Sequence, residues 1–146
     1  MDLRAVTRFA AFWLTLLSAC VEPRPAGAPD PQASGVHWVW EGAKLRGVDF
    51  RAVGNEPGWS LEILSGDRIT FVTDYGQTRV STPLPEPRVE PQAARITYRA
   101  QTGAHALTLV IEPGPCHDSM SGEALGSRAT VVLDAREHRG CGRALP

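Results

Sequence analysis

The feature that most constrains the fold is a two-residue alternation of apolar and polar side chains, repeated in short runs. The run at 95–100 reads R-I-T-Y-R-A, which places its apolar side chains on one face of an extended strand. Comparable runs lie at 48–52, 59–63, 68–73, 77–82, 105–112, 128–134 and 140–145. Turn-forming residues separate them, and no helical period follows residue 20. The pattern predicts an all-β fold, a small antiparallel meander forming a curled sheet or barrel of seven to eight short strands.

Prolines and aromatic residues indicate where this pattern changes. The segment Pro83–Pro91 holds four prolines, which predicts a long surface loop rather than an interior strand. Pro113-Gly114-Pro115 predicts a break in the sheet, and Arg136–Arg139 predicts a turn. Val36–Trp40 (V-H-W-V-W) predicts the start of the globular part, as a strand or as a segment closing one end.

The N-terminus has the three parts of an export signal. Arg4 and Arg8 are followed by an apolar run at 9–17, by small residues and by Cys20. The apolar run is shorter than the roughly 20 residues that a membrane-spanning helix needs. Residues 1–19 are therefore predicted to be a signal peptide.

The sequence L-S-A-C at 17–20 resembles the lipobox of bacterial lipoproteins. The resemblance implies cleavage before Cys20 and lipid on its thiol and new amino terminus; an ordinary secretory signal is the alternative. Residues 20–35 would then be the lipidated cysteine and an extended, proline-rich tether, and residues 36–146 a single β domain. An aspartate directly after the lipidated cysteine would resemble an inner-membrane retention signal. This position is Val21, which favours an outer-membrane anchor with the domain facing the periplasm.

The charge balance limits the kind of partner. Loss of residues 1–19 would change the formal net charge only from −1 to −2. Neither sign dominates, so nothing argues for nucleic acid as a partner. The expected partners are the membrane, through the lipid anchor, and an envelope protein.

Two further cysteines remain for the globular part. In an oxidising compartment Cys116 and Cys141 are predicted to form a disulfide. The alternative is a zinc site that adds His117 and His138 to the two thiolates, although the spacing is not that of a standard zinc knuckle. The disulfide interpretation is favoured, and no metal or other cofactor is predicted.

The segment 54–59, G-N-E-P-G-W, joins two predicted strands and consists mostly of turn-forming residues. Gly54 and Gly58 would permit positive φ, Asn55 a left-handed backbone, and Pro57 a fixed φ. Glu56 is the residue that a turn does not explain. It could cap nearby amides, pair with an arginine or face a ligand, and the loop 116–122 is predicted to hold its partner.

Three motifs together resemble a family of uncharacterised bacterial lipoproteins and envelope proteins. They are G-N-E-P-G-W at 54–59, C-H-D-S-M-S-G at 116–122 and G-C at 140–141. The chain departs from the family pattern at Gly58, where an aromatic residue is usual, and at 124–126, where an aromatic-proline pair is common. The resemblance implies a small β domain at the cell envelope and supplies no established activity.

No catalytic group stands out in the sequence. His117, Asp118 and Ser119 are consecutive, so their side chains diverge, and there is no glycine-rich phosphate loop or nucleophile elbow. A protein-binding or inhibitor-like module is predicted. The alternatives are a small-ligand or metal-binding periplasmic domain and, less favoured, an enzyme of hydrolase type. The candidate binding residues are Glu56, Trp59, His117, Asp118 and Met120; in register with Leu61 and Ile63, Trp59 is also predicted to be a core residue.

Overall fold

A computed structural model describes residues 31–146, with side chains from residue 38 onward. It contains one helix, α1 (Pro31–Leu45), and one antiparallel sheet of nine strands within the described residues. The strands are β1 Phe50–Asn55, β2 Gly58–Leu64, β3 Arg68–Thr73, β4 Thr78–Pro83, β5 Arg88–Glu90, β6 Arg95–Thr102, β7 His105–His117, β8 Ala124–Leu133 and β9 Arg136–Ala144. The predicted all-β fold with a curled sheet is confirmed.

The sheet order is β4-β3-β2-β1-β9-β8-β7-β6-β5, so every neighbour except β1 and β9 is also a neighbour in sequence. Pairing of Val53 with Cys141 joins the first strand to the last. The two edge strands, β4 and β5, are consecutive in sequence and flank the proline-rich segment. Proline cannot donate to a strand ladder, which explains why the sheet is open there. The predicted loop Pro83–Pro91 is wrong in one respect, because Arg88–Glu90 forms a short edge strand.

The main core fills the inner face of the curled sheet. It consists of the alternating residues that the sequence pattern placed inward, and Leu61, Ile69, Phe71, Leu109 and Val131 are fully buried. Aromatic rings pack together in one part of this core, where the centroids of Trp59 and Phe71 lie 5.8 Å apart. The His138 ring packs edge-on against Phe71 at 5.2 Å.

His138 is a titratable residue in this apolar cluster. Its side chain is buried, and its Nδ1 has no hydrogen-bond partner among the residues that the structure describes. Burial lowers the pKa of His138 below 6.5 and Arg136 adds to the effect, while Asp74 opposes it.

We expect this histidine to make stability depend on pH. Above the unfolded-state pKa of about 6.5 the neutral imidazole predominates in both the folded and the unfolded state, so His138 makes its full contribution to the free energy of unfolding. As the pH falls below that value toward the lower folded-state pKa, the unfolded chain binds more protons and the free energy of unfolding decreases. His138→Gln should flatten the profile in this interval, measured by urea unfolding between about pH 5 and 8. If the free energy of unfolding of the variant depended on pH as steeply as that of the wild-type protein, His138 would not be the residue responsible.

Helix α1 is the main departure from the predicted fold. Residues 36–40 were predicted as a strand or a segment closing one end, and 31–35 as tether, yet both lie in the helix, and the predicted domain boundary at residue 36 falls inside it. Pro31 occupies the first helical position, where its missing N–H costs nothing. The signal peptide, Cys20 and the rest of the tether lie outside the described residues.

The helix covers the outer face of the sheet, opposite the main core. Trp40 and Ala43, three residues apart and therefore on the same helix face, are both buried there. They belong to a second apolar cluster made of Trp40, Ala43, Val48, Leu125, Cys141 and Leu145. Val48, predicted to share a face with Phe50 and Ala52, is thus part of a different core.

Two predicted interruptions of the sheet are also wrong. Pro113–Pro115 does not end β7, because a register shift between Pro113 and Cys116 accommodates the extra residues and pairing resumes at Cys116. Arg136–Arg139 is strand, and the turn lies one step earlier at Asp134 and Ala135, whose φ values are 48° and 70°.

Within residues 31–146, no helix combines the length and the apolar character needed to cross a membrane.

Candidate functional site

The candidate site lies where helix α1 meets the loop that follows β7. A cavity of about 270 Å³ opens between them, which we call the helix–loop groove. Its lining residues are Val39, Trp40, Val53, Asn55, Asp118, Met120, Ser121 and Glu123. Two of the predicted binding residues, Asp118 and Met120, are among them.

The predicted disulfide fixes the base of the loop. Cys116 at the end of β7 is bonded to Cys141 in β9, with their Cα atoms 5.6 Å apart. Cys141 is buried beneath the helix, in the second apolar cluster. The alternative zinc site is wrong, since both thiols are consumed by the bond.

The loop is held in shape by its own polar residues. The Asp118 carboxylate accepts hydrogen bonds from the Ser121 N–H at 2.8 Å and the Ser121 hydroxyl at 2.6 Å. The Ser121 Oγ in turn accepts from the Glu123 N–H at 3.2 Å, and the Gly122 N–H donates to the Asp118 carbonyl at 2.8 Å. Asp118 and Ser121 thus cap backbone amides of their own loop.

The loop is attached to the β1–β2 corner by Asn55. Its Nδ2 donates to the Asp118 Oδ1 and to the Ser119 Oγ, both at 2.7 Å. Glu56 was predicted to find its partner in this loop, and that prediction is wrong. Glu56 is exposed, and its side chain makes no hydrogen bond or ion pair with any residue in the described part of the chain.

The Asp118 carboxylate is the electrostatic centre of this network. Partial burial alone would raise its pKa, but the hydrogen bonds from Ser121 and Asn55, with the Met120 backbone amide, together lower it below 3.8. The carboxylate is therefore ionised at neutral pH, and it is held by donors from both the loop and the corner.

We expect Asn55 and Asp118 to be coupled energetically. Asn55→Ala and Asp118→Ala should each reduce the free energy of unfolding by about 1–2 kcal/mol, and the double variant should lose less than their sum. Urea unfolding of the four proteins measures the coupling. Ser119→Ala is the matched control: it removes the second Asn55 acceptor, leaves the carboxylate bond, and should cost less. Strictly additive losses for Asn55 and Asp118 would contradict the bond.

The base of the groove contains residues that the sequence analysis did not single out. The Trp40 Nε1 donates to Glu123 Oε2 at 3.0 Å, and Arg143 Nη1 donates to Glu123 Oε1 at 3.0 Å. The Arg143 guanidinium also lies 4.5 Å from the centre of the Trp40 ring. These three residues are separated by 20 to 103 positions in the sequence, so no local motif could have indicated their contact.

The rim of the groove is apolar and open to solvent. Met120 is 81% exposed and Val39 48% exposed, and both line the cavity. Trp38, the preceding residue on the helix, is 76% exposed. Exposed apolar side chains that line one cavity, as Met120 and Val39 do, are typical of a contact surface.

Trp59 does not belong to this surface. It is 5% exposed and packs in the main core, so the core interpretation is confirmed and the proposed binding role is wrong. The role expected for its neighbouring glycines is also wrong, because neither Gly54 nor Gly58 has a positive φ. A Cβ at Gly54 would collide with the Trp59 ring, and one at Gly58 would lie 2.9 Å from the Tyr75 ring. Gly54 therefore requires glycine for close packing against the buried Trp59 ring, whereas at Gly58 the exposed Tyr75 ring could move aside.

The remaining candidates do not form a metal site. His117 is exposed and lines a small cavity of about 70 Å³ that it shares with Asp118 and Arg139. Among the residues that the structure describes, no three His, Cys, Asp or Glu side chains are grouped so that they could hold a metal ion. Glu56, His117 and Asp118 therefore do not form the ligand set that one alternative required.

No protein-family model, curated protein or solved structure matches this chain.

Proposed function

We propose that the chain is a protein-binding module of the bacterial cell envelope, anchored in the outer membrane by lipid on Cys20. The helix–loop groove is its contact surface, and the module acts by binding rather than by catalysis. The observation that carries the proposal is the exposed apolar rim of Met120 and Val39, with the exposed Trp38 next to Val39 on the helix, beside a groove whose base is held by polar contacts.

The rigidity of the base supports a binding role. The disulfide joins the loop to β9, the Asn55–Asp118 bond joins it to the β1–β2 corner, and Glu123 joins it to Trp40 of helix α1. A partner would therefore lose little free energy in ordering this surface, which favours affinity. Methionine and aromatic residues are enriched at the centres of protein interfaces, which is the composition of this rim.

The size of the groove favours a protein partner over a free small molecule. A volume of about 270 Å³ lies just below the roughly 300–1,000 Å³ of typical small-ligand sites. It suits one or two apolar side chains inserted from a partner, with the exposed rim residues making the surrounding contacts. The partner is thus expected to present an apolar anchor residue.

Photo-crosslinking in living cells tests this proposal. A photoreactive amino acid at position 120 or 39 should give one defined protein adduct, whose identity is read by mass spectrometry. The matched control is the same amino acid at the solvent-exposed position 104, in the β6–β7 turn, which does not line the groove. The identified partner, once purified, should bind the wild-type protein and bind Met120→Asp about tenfold or more weakly.

An absence of adducts at 120 and 39, or the same adducts at 104, would contradict the assigned surface. Equal affinity of the wild-type and Met120→Asp proteins for the purified partner would contradict it as well.

A further inference from the structure

A second cavity, of about 330 Å³, lies on the outer face of strands β1 to β4, away from the helix–loop groove. Three arginines, Arg46, Arg51 and Arg79, line it together with Glu62 and the hydroxyl residues Ser60 and Thr70. We call it the arginine cavity.

The charges in this cavity are unbalanced. Arg46 Nη2 lies 2.7 Å from Glu62 Oε1, and Arg51 binds the same carboxylate oxygen. Arg79 makes no ion pair or side-chain hydrogen bond with another described residue. The three arginines that line the cavity thus face one carboxylate, which Arg46 and Arg51 share and Arg79 does not contact, so the three positive charges exceed the negative charge by two.

Arg51 is the most constrained of the three. Its side chain is 14% exposed, and its Nε is buried without a hydrogen-bond partner among the described residues. Burial lowers its pKa, Glu62 opposes this, and the like charge of Arg46 adds to the lowering. A buried cation that is only partly hydrogen-bonded is unfavourable unless another anion completes its environment.

Another groove on the same sheet has a different charge arrangement. That groove, of about 430 Å³, lies on strands β5 to β8 and also contains three arginines. There, however, Arg95 pairs with Glu112 at 2.8 Å and Arg88 pairs with Glu90 at 3.0 Å. The arginine cavity differs from this groove in that two arginines share one carboxylate oxygen and one of them, Arg51, is largely buried.

We propose that the arginine cavity binds a dianionic phosphate group, carried by free phosphate, a sugar phosphate or a lipid headgroup. Two negative charges match the two uncompensated positive charges. Planar guanidinium groups bind phosphate oxygens through paired, charge-assisted hydrogen bonds, and the Ser60 and Thr70 hydroxyls can donate to the remaining oxygens. The arginine cavity shares no lining residue with the helix–loop groove, although its Arg51 lies 5.7 Å from the centre of the Trp40 ring, which lines that groove.

Calorimetric titration of the purified full-length protein at constant ionic strength tests the proposal. The probes are inorganic phosphate, glucose 1-phosphate, and phosphatidylcholine vesicles with and without phosphatidic acid. Saturable binding to at least one phosphate-bearing probe is expected, and the probe that binds tightest identifies the source of the phosphate. Arg79→Gln should weaken that binding about tenfold, the fold-change of one charge-assisted hydrogen bond.

A second variant is expected to change the phosphate affinity in the opposite direction. Glu62→Gln removes the competing carboxylate and should tighten phosphate binding, whereas Arg99→Gln, an exposed arginine of the other groove, should leave it unchanged. Arg79 is exposed, so its variant is expected to fold normally. Two results would overturn the proposal: no saturable binding to any phosphate probe, or an equal loss in the Arg79 and Arg99 variants.

Discussion

Replacing Gly140 with alanine is expected to lower the free energy of unfolding by about 3 kcal/mol or more. A Cβ at this position would overlap the Val53 carbonyl oxygen and lie 2.8 Å from Cζ2 of Trp59. Neither neighbour can yield easily, since Val53 is paired in β1 and the Trp59 ring is fixed in the core. The contact between the first and last strands depends on this glycine.

Gly126→Ala is the matched control for this variant. Gly126 is also a strand residue without positive φ, but nothing lies within 4 Å of a Cβ built there. Its replacement should change the free energy of unfolding by less than about 0.5 kcal/mol. Urea unfolding followed by tryptophan fluorescence compares the two, and a similar, small effect of both substitutions would show that β1 and β9 are farther apart than described.

Removing the disulfide should have an effect of similar size. The bond between Cys116 and Cys141 spans 25 positions in the sequence, and in the chain-entropy model a loop of this length is worth about 3 kcal/mol. The double variant Cys116→Ala/Cys141→Ala is expected to lose about that amount, a large share of the roughly 5–15 kcal/mol that holds a typical domain folded.

Reduction of the wild-type protein provides the control. Wild-type protein treated with a thiol reductant should unfold at the same urea concentration as the double variant, and the variant itself should not respond to reductant. The amide of Gly122, hydrogen-bonded inside the loop, should also exchange faster once the bond is absent. An unchanged unfolding midpoint in protein shown by thiol count to be reduced would contradict the stabilising role.

Much of the sheet could be predicted from the sequence because its signal is local. Along strands such as β2, β3 and β8, alternate residues are buried, and the period of two is visible without any tertiary information. The strand ends were less accurate. A proline pair was taken to break β7, whereas a bulge absorbs it, and bulges leave little trace in residue type.

Helix α1 was missed because its residue types favour strands. The segment V-H-W-V-W is rich in β-branched and aromatic residues, and only Trp40 and Ala43 of the helix are buried among its described side chains. Two buried positions are too few to show a helical period. The sheet face beneath the helix, which includes Leu125 and Cys141, supplies the stabilising contacts, and these are tertiary.

The candidate site could be predicted only in part. The loop 116–122, its disulfide and the capping role of Asp118 follow from residue types at short separation. The loop is attached through Asn55 and not through Glu56. Which of these two side chains faces the loop depends on the exact geometry of the tight turn, because side chains of consecutive turn residues point in different directions. The contacts of Trp40 with Glu123 and Arg143 depend on where the helix docks.

The most direct test of the proposed contact surface is oxidative footprinting of three comparably exposed side chains. Met120 lines the groove at 81% exposure, Trp38 directly precedes the groove-lining Val39 on helix α1 at 76% exposure, and Tyr75 is a control at 78% exposure that neither lines the groove nor adjoins it in sequence. In intact envelopes, Met120 and Trp38 should be labelled several-fold more slowly than in the purified protein, while Tyr75 is labelled equally fast in both. The purified protein in lipid vesicles should resemble the purified protein in solution. Equal labelling of Met120 and Trp38 in envelopes and in solution, or full protection by lipid vesicles alone, would contradict a protein partner at this surface.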